Sequence, residues 1–206
     1  DRRVTELKFS HDGKQLAIGV RTVLVWDVAS GRELHRWRHD ILVNSLQFSR
    51  DDQRLVAGFY DGLVKMWELA KYPRERIFQG HKDQVNGLAL SLNGRILVSA
   101  GTDRVRMWEV DSQLQLTSLS PSLAQFFTEC VLSQDGRTLA VADFEGPITL
   151  WSMDSFQRVG TLSGHNETVD DLDFSSDGNT LVSVSKTQFR IWRAASFAET
   201  DARKNR

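Results

Sequence analysis

Three histidines, His39, His81 and His165, and three closely spaced aspartates, Asp170, Asp171 and Asp173, are the side chains of this chain best suited to chemistry. Imidazoles are the commonest metal ligands, and two carboxylates about 5–9 Å apart across a cleft can drive hydrolysis. The spacing argues against both uses. The histidines stand 42 and 84 residues apart, each at the same place in a local pattern, so they belong to separate repeats. The aspartates lie in V-D-D-L-D-F, which reads as a strand with solvated polar positions. Arg74/Arg76 and Arg104/Arg106 resemble basic stripes, but acidic neighbours cancel them and a solvated sheet face is expected. No G-x-S-x-G elbow, P-loop, H-E-x-x-H or dinucleotide fingerprint occurs. The residues therefore predict no catalytic group, no cofactor and no metal.

The elements that carry these residues repeat. Trp26, Trp67, Trp108, Trp151 and Trp192 follow one another at intervals of 41, 41, 43 and 41 residues. About 15 residues before each lies a turn pair: Asp12-Gly13, Asp51-Asp52, Asn93-Gly94, Asp135-Gly136 and Asp177-Gly178. Asp-Gly and Asn-Gly supply the left-handed positions that tight hairpin turns need. Before each turn comes a V-x-x-L-x-F-S-like strand: Val4/Leu7/Phe9, Val43/Leu46/Phe48, Val85/Leu88/Leu90, Phe127/Cys130/Leu132 and Val169/Leu172/Phe174. Strand-length runs separated by such turns are β-meanders. The best copy is 80–109, which opens on Gly80-His81 and ends on Trp108-Glu109.

A period near 40–45 residues with Gly-His early and Trp-Asp or Trp-Glu at the end resembles the WD40 β-propeller family over nearly the whole chain. The resemblance implies an all-β fold: five blades, each an antiparallel four-stranded sheet, at 1–37, 38–78, 79–119, 120–162 and 163–192. The fifth blade lacks a candidate for its outer strand. The tail, 193–206, reads as a short helix or a disordered end. Because rings of this family most often have seven blades, further blades of the same chain are expected upstream of residue 1.

The family's buried tetrad joins the His of Gly-His, a strand hydroxyl, a turn Asp and the Trp. Carried over by position, it is complete only as His81, Ser99, Asp103 and Trp108. The second repeat keeps His39, Asp61 and Trp67 but has Ala57 for the hydroxyl. The fifth keeps His165, Ser183 and Trp192 but has Thr187 for the Asp. The first and fourth keep only Trp. Partner-binding positions of the family, two just after Gly-His and one before the turn Asp, fall on Asp40, Leu42 and Tyr60, and on Lys82, Gln84 and Thr102. In the later repeats they fall on Ala124, Phe126 and Phe144, and on Asn166, Thr168 and Lys186. The first repeat offers Arg3 and Arg21. Leu42, Tyr60, Phe126 and Phe144 stand out, since solvent-facing turns have no packing need for large apolar groups.

Bulk properties set the remaining bounds. The 206 residues carry a net charge of −1, so no global field draws the chain to nucleic acid or to an anionic membrane. No stretch of about 18 apolar residues suggests a bilayer span. The single cysteine, Cys130, excludes an internal disulfide framework and sits where other repeats place Leu. A cytoplasmic interaction scaffold, presenting a loop face to proteins or peptides, is the expected function. A propeller hydrolase would need titratable groups at the channel mouth, where the sequence places mostly Leu, Gln, Phe and Thr. The ending I-W-R-A-A-S-F-A-E-T resembles bacterial WD40 propellers, including those appended to Ser/Thr protein kinases. On that alternative the chain is the sensing or docking part of a larger enzyme.

Overall fold

The computed structural model describes residues 4–70, 74–119 and 126–194. Every regular element among them is a strand, and the strands form five antiparallel sheets. The first sheet holds β1 (Glu6–Phe9), β2 (Gln15–Gly19), β3 (Thr22–Asp27) and β4 (Glu33–Arg38). The second holds β5 (Val43–Phe48), β6 (Arg54–Phe59), β7 (Val64–Glu68) and β8 (Glu75–Phe78). The third holds β9 (Val85–Leu90), β10 (Ile96–Gly101), β11 (Val105–Glu109) and β12 (Gln115–Leu119). The fourth holds β13 (Phe127–Leu132), β14 (Thr138–Asp143), β15 (Ile148–Ser152) and β16 (Arg158–Leu162). The fifth has three strands, β17 (Val169–Phe174), β18 (Thr180–Ser185) and β19 (Phe189–Arg193). Strand order within each sheet follows chain order, as in a propeller blade, and the fold is all-β.

Alternate residues on each strand face opposite sides of the sheet, and here both sides are apolar. Ala17, Val23 and Val25 of the first sheet bury against Leu46, Phe48, Leu55, Ala57 and Trp67 of the second. Val56, Val64, Met66 and Phe78 then meet Leu88, Leu97 and Trp108 of the third. The same arrangement joins the third sheet to the fourth around Met107, Cys130 and Trp151, and the fourth to the fifth around Ile148, Leu172 and Leu181. In every case the repeat tryptophan faces the preceding sheet. Cys130 is buried in this packing, as its replacement of a core Leu implies. Trp37, the one tryptophan outside the repeat pattern, stacks on Trp67 at 4.7 Å.

The outer faces of the two terminal sheets repeat this pattern without a partner. Leu7 and Phe9 occupy the places that Leu46 and Phe48 hold in the second sheet, yet they are 55% and 60% exposed. On the fifth sheet Val184, Phe189 and Ile191 stand where Ala100, Val105 and Met107 are buried in the third. Both faces leave large apolar side chains exposed.

Several expectations need adjustment. Arg38 ends β4 rather than opening the second repeat, and Arg193 ends β19 rather than opening a tail. Residues 195–206 lie outside the described residues, as do Arg3, Ala124 and the two-residue insertion before β13. Arg106 is a larger correction. The sequence expects it on a solvated face, but it is only 6% exposed. Its guanidinium donates to Gly80 O (2.6 Å) and pairs with Asp103 (2.8 Å), so the charge is matched where it is buried.

Four of the five turns that join the first two strands of a sheet place glycine at the left-handed position: Gly13, Gly94, Gly136 and Gly178, at φ 64° to 71°. The second sheet places Asp52 there at φ 54°, a conformation that strains a side chain bearing a Cβ. The carboxylate spans the gap to the first sheet. It accepts from His11 N (2.8 Å), His11 Nδ1 (2.9 Å) and Asp12 N (3.0 Å). Bonds to an ionised acceptor contribute about 1.5–3 kcal/mol each at best, more than the strain of about 1 kcal/mol. Asp52→Gly is therefore expected to lower stability by about 1 kcal/mol or more in urea unfolding, although it relieves the backbone. A variant more stable than the parent would show that the link contributes nothing.

Candidate functional site

The inner strands β1, β5, β9, β13 and β17 lie side by side and line a channel. At its mouth, where these strands begin, a depression of about 570 Å³ is lined by residues from all five sheets. Thr5, Asn44, Asn86, Thr128 and Asp170 occupy one repeat position, the second or nearest residue of each inner strand, and form its wall. They also stitch the sheets together. Asn44 Nδ2 donates to Val85 O (3.1 Å) and Asn86 Oδ1 (2.7 Å), Asn86 Nδ2 to Phe127 O (2.6 Å), and Thr128 Oγ1 to Val169 O (2.6 Å).

The rim carries the residues that the family pattern assigned to partner contact. Backbone bonds set them in pairs: Tyr60 N donates to Leu42 O, Thr102 N to Gln84 O, and Phe144 N to Phe126 O. Each pair joins the loop before an inner strand to the turn before a third strand. Gln84, Thr102, Phe126, Phe144 and Thr168 converge on the one depression. Leu42, Tyr60 and Lys186 do not line it; they extend the rim on either side, with Tyr60 44% exposed and Lys186 exposed. Phe126 and Phe144 meet edge to face with ring centroids 6.2 Å apart, and they remain 53% and 57% exposed.

Sequence reasoning singled out Asp170, Asp171 and Asp173 as solvated strand positions but missed Glu6 and Glu129, and placed none of the five on the channel. Glu6, Glu129 and Asp170 line the mouth, and Asp171 and Asp173 lie deeper, with Lys8 across from them. Nothing in one repeat reveals which face of the blade turns toward the axis. Glu129 folds over Gly87, where an added Cβ would come within 2.7 Å of Glu129 Oε1, so only glycine leaves room. Burial pushes the Glu129 carboxyl up to about 8, with Asp171 and Glu6 adding to the rise and the Cys130 amide and Lys8 opposing it. Glu6 is raised for the same first reason.

The tetrad residues lie away from this mouth, inside the third sheet. Trp108 Nε1 donates to Ser99 Oγ (2.8 Å), whose hydroxyl donates to His81 Nε2 (2.7 Å). His81 Nδ1 then donates to Asp103 Oδ1 (2.6 Å). Burial lowers the His81 pKa, which keeps the ring neutral and suits that tautomer. Burial raises the Asp103 carboxyl, but the bonds and charges from His81 and Arg106 together outweigh it and hold it low. Some groups of the incomplete copies find substitutes, while Trp26 Nε1, His39 Nε2 and His165 Nδ1 stay unpaired among the described residues. Trp67 Nε1 donates to Glu75 (2.7 Å) where Ala57 offers no hydroxyl, and Trp151 Nε1 to Thr149 (3.1 Å). His165 keeps Ser183 (2.7 Å), while Glu167 accepts from Thr187 N and Oγ1 at the turn that lacks Asp.

The WD domain, G-beta repeat pattern of the WD40 family matches residues 31–68, 73–109 and 156–193, more than half of the chain. Each match starts near the outer part of one sheet and runs through the three inner strands of the next. The chain is 27% identical over 149 residues to the serine-threonine kinase receptor-associated protein of Gallus gallus, covering 69% of this chain and 42% of that protein. It is 27% identical over 184 residues to protein ROOT INITIATION DEFECTIVE 3 of Arabidopsis thaliana, covering 80% of this chain and 42% of that protein. Apoptotic protease-activating factor 1 of Rattus norvegicus shares 27% over 200 residues, covering 89% of this chain and 16% of that protein. The chain spans less than half the length of these relatives.

The Glu129 shift has a consequence for stability. The folded chain holds that proton more tightly than an unfolded one, whose glutamate titrates near 4.5. Its contribution is complete below about pH 4.5 and is lost as pH rises to about 8. Melting temperature should fall across that window, and Glu129→Gln should remove this part of the fall while shared histidine effects cancel. Parallel curves for parent and variant would refute the assignment.

Proposed function

The chain belongs to the WD40 repeat family, and on that premise we propose that it is a non-catalytic scaffold that binds protein partners at the channel mouth. The exposed Phe126–Phe144 pair carries this reading. Two phenylalanines more than half exposed on a rigid rim add nothing to the core, whereas aromatic side chains are preferred anchors at protein interfaces. The backbone pairing of the rim loops holds them in place before a partner arrives, which limits the entropy lost on binding. Two relatives are named for association with a kinase receptor and for activation of a protease, which supports protein partners over small molecules.

Further blades of the same polypeptide belong to this reading. They would cover the open face of the first sheet, at Leu7 and Phe9, and that of the fifth, at Phe189 and Ile191. The relatives, of whose length the match covers 42%, leave room for such blades. Until covered, faces of this size associate.

Affinity capture from an extract of the source organism, compared across variants, tests the binding face. Phe144→Ala and Tyr60→Ala are each expected to weaken recovery of the partner by about tenfold or more, as for interface anchors, with melting temperature unchanged. Full recovery with both variants, or unfolding of both, would remove the rim from the account.

A further inference from the structure

We infer that the blade covering the fifth sheet carries a lysine or arginine on its own inner strand, where it pairs with Asp171 and Asp173. This rests on the proposed further blades of the same polypeptide and adds the chemistry one of them must bring. The open face of the fifth sheet is not purely apolar. Asp171, Val184 and Phe189 stand directly opposite one another across the three strands, as do Asp173, Val182 and Ile191. Residues so paired share a face. A hollow of about 350 Å³ on it is lined in part by Asp171, Asp173, Val182 and Val184.

The interfaces inside the chain show what covering does to these two positions. Equal repeat positions of neighbouring inner strands lie side by side, as the Asn44–Asn86 bond (2.7 Å) records. The third sheet has Gly87 at the place of Asp171, and a Cβ there would come within 2.6 Å of Cys130 N in the next inner strand. At the place of Asp173 the third sheet has Ala89, 5% exposed, and the fourth has Val131, packed against the core it shares with the fifth. Asp171 and Asp173 are exposed while the face is open. A blade seated like the others takes both carboxylates out of water, which is strongly unfavourable unless a cation meets them.

This chain does not supply that cation. Among the described residues neither aspartate has an ion pair, and Asp171 accepts only from the Leu172 amide (2.8 Å). The same channel also holds Glu6 and Glu129, against Lys8, Arg50 and a His11 already bonded to Asp52. The charge of Lys8 acts on Glu6 and Glu129. A second copy of the chain, seated by its first sheet, would set Glu6 against Asp171 and Lys8 against Asp173. Repulsion then accompanies attraction, and the aspartates gain no net partner. A covering strand of the V-x-x-L-x-F pattern faces them with its third and fifth residues, the places of Glu6 and Lys8 in the first repeat. The cation belongs at one of these two places, with no carboxylate at the other.

Hydroxyl-radical footprinting at Phe189, read by mass spectrometry, tests this by comparing the present chain with the intact polypeptide that the source organism makes. Phe189 is expected to react several-fold more slowly in the intact polypeptide. Urea should restore its reactivity, at a midpoint that Asp171→Asn together with Asp173→Asn lowers by about 0.5 M or more. In the present chain alone the double substitution should leave the urea midpoint unchanged or raise it, since it removes only repulsion. Protection in the intact polypeptide whose midpoint does not fall overturns the cation and leaves the covering blade standing. An equal fall in the present chain alone traces the effect to the fifth sheet itself and also overturns the cation. Equal reactivity of Phe189 in the two polypeptides removes the covering blade and the cation with it. Protection that appears only as concentration rises assigns the face to a second copy, and the inference falls.

Discussion

The structure depends on apolar contact between the faces of consecutive sheets. A four-stranded meander standing alone has two apolar faces and cannot bury either, so no sheet of this chain is a folding unit by itself. Each needs its neighbour. The large side chains Phe48, Phe59, Trp67, Phe78, Trp108 and Phe127 are almost wholly buried, and all sit between sheets or at their junctions. At about 1.5–3 kcal/mol for each such side chain taken from water, these contacts outweigh any polar interaction in the molecule.

The polar network is secondary by the same measure. Only the third sheet has the complete chain from Trp108 through Ser99 and His81 to Asp103, yet all five sheets form. A typical hydrogen bond adds about 1 kcal/mol net, so the network refines blade geometry without creating it. Where a member is lost the outcome differs: Trp67 turns to Glu75, whereas Trp26 Nε1, His39 Nε2 and His165 Nδ1 are buried without a hydrogen bond among the described residues. Inter-sheet polar links act at the edges of the same interfaces: Asp52 toward His11 on one side, and the Asn44, Asn86 and Thr128 series along the channel.

Local repetition made most of this legible in the sequence. The tryptophan interval, the Asp-Gly turns and the alternating strands fix the number of sheets. The members of the third-sheet network could be named because each lies in a short motif. What could not be read depends on how sheets lean against one another. Arg106 looks like half of a solvated stripe until Gly80 and Asp103 close over it. Glu6, Glu129 and Asp171 are far apart in sequence, and only the convergence of three inner strands puts them on one channel. Asp52 reads as an imperfect turn, because its partner lies 41 residues away in a different sheet. Long-range pairing of this kind leaves no local signature.

If packing between sheets is the source of stability, protection must follow the number of neighbours. Native-state hydrogen exchange measures this sheet by sheet. The account predicts the slowest amides in β5–β7, β9–β11 and β13–β15, whose sheets are covered on both faces, and the fastest ladder amides in β1–β4 and β17–β19. Equal protection across all five sheets, or greatest protection in the first or fifth, would contradict it.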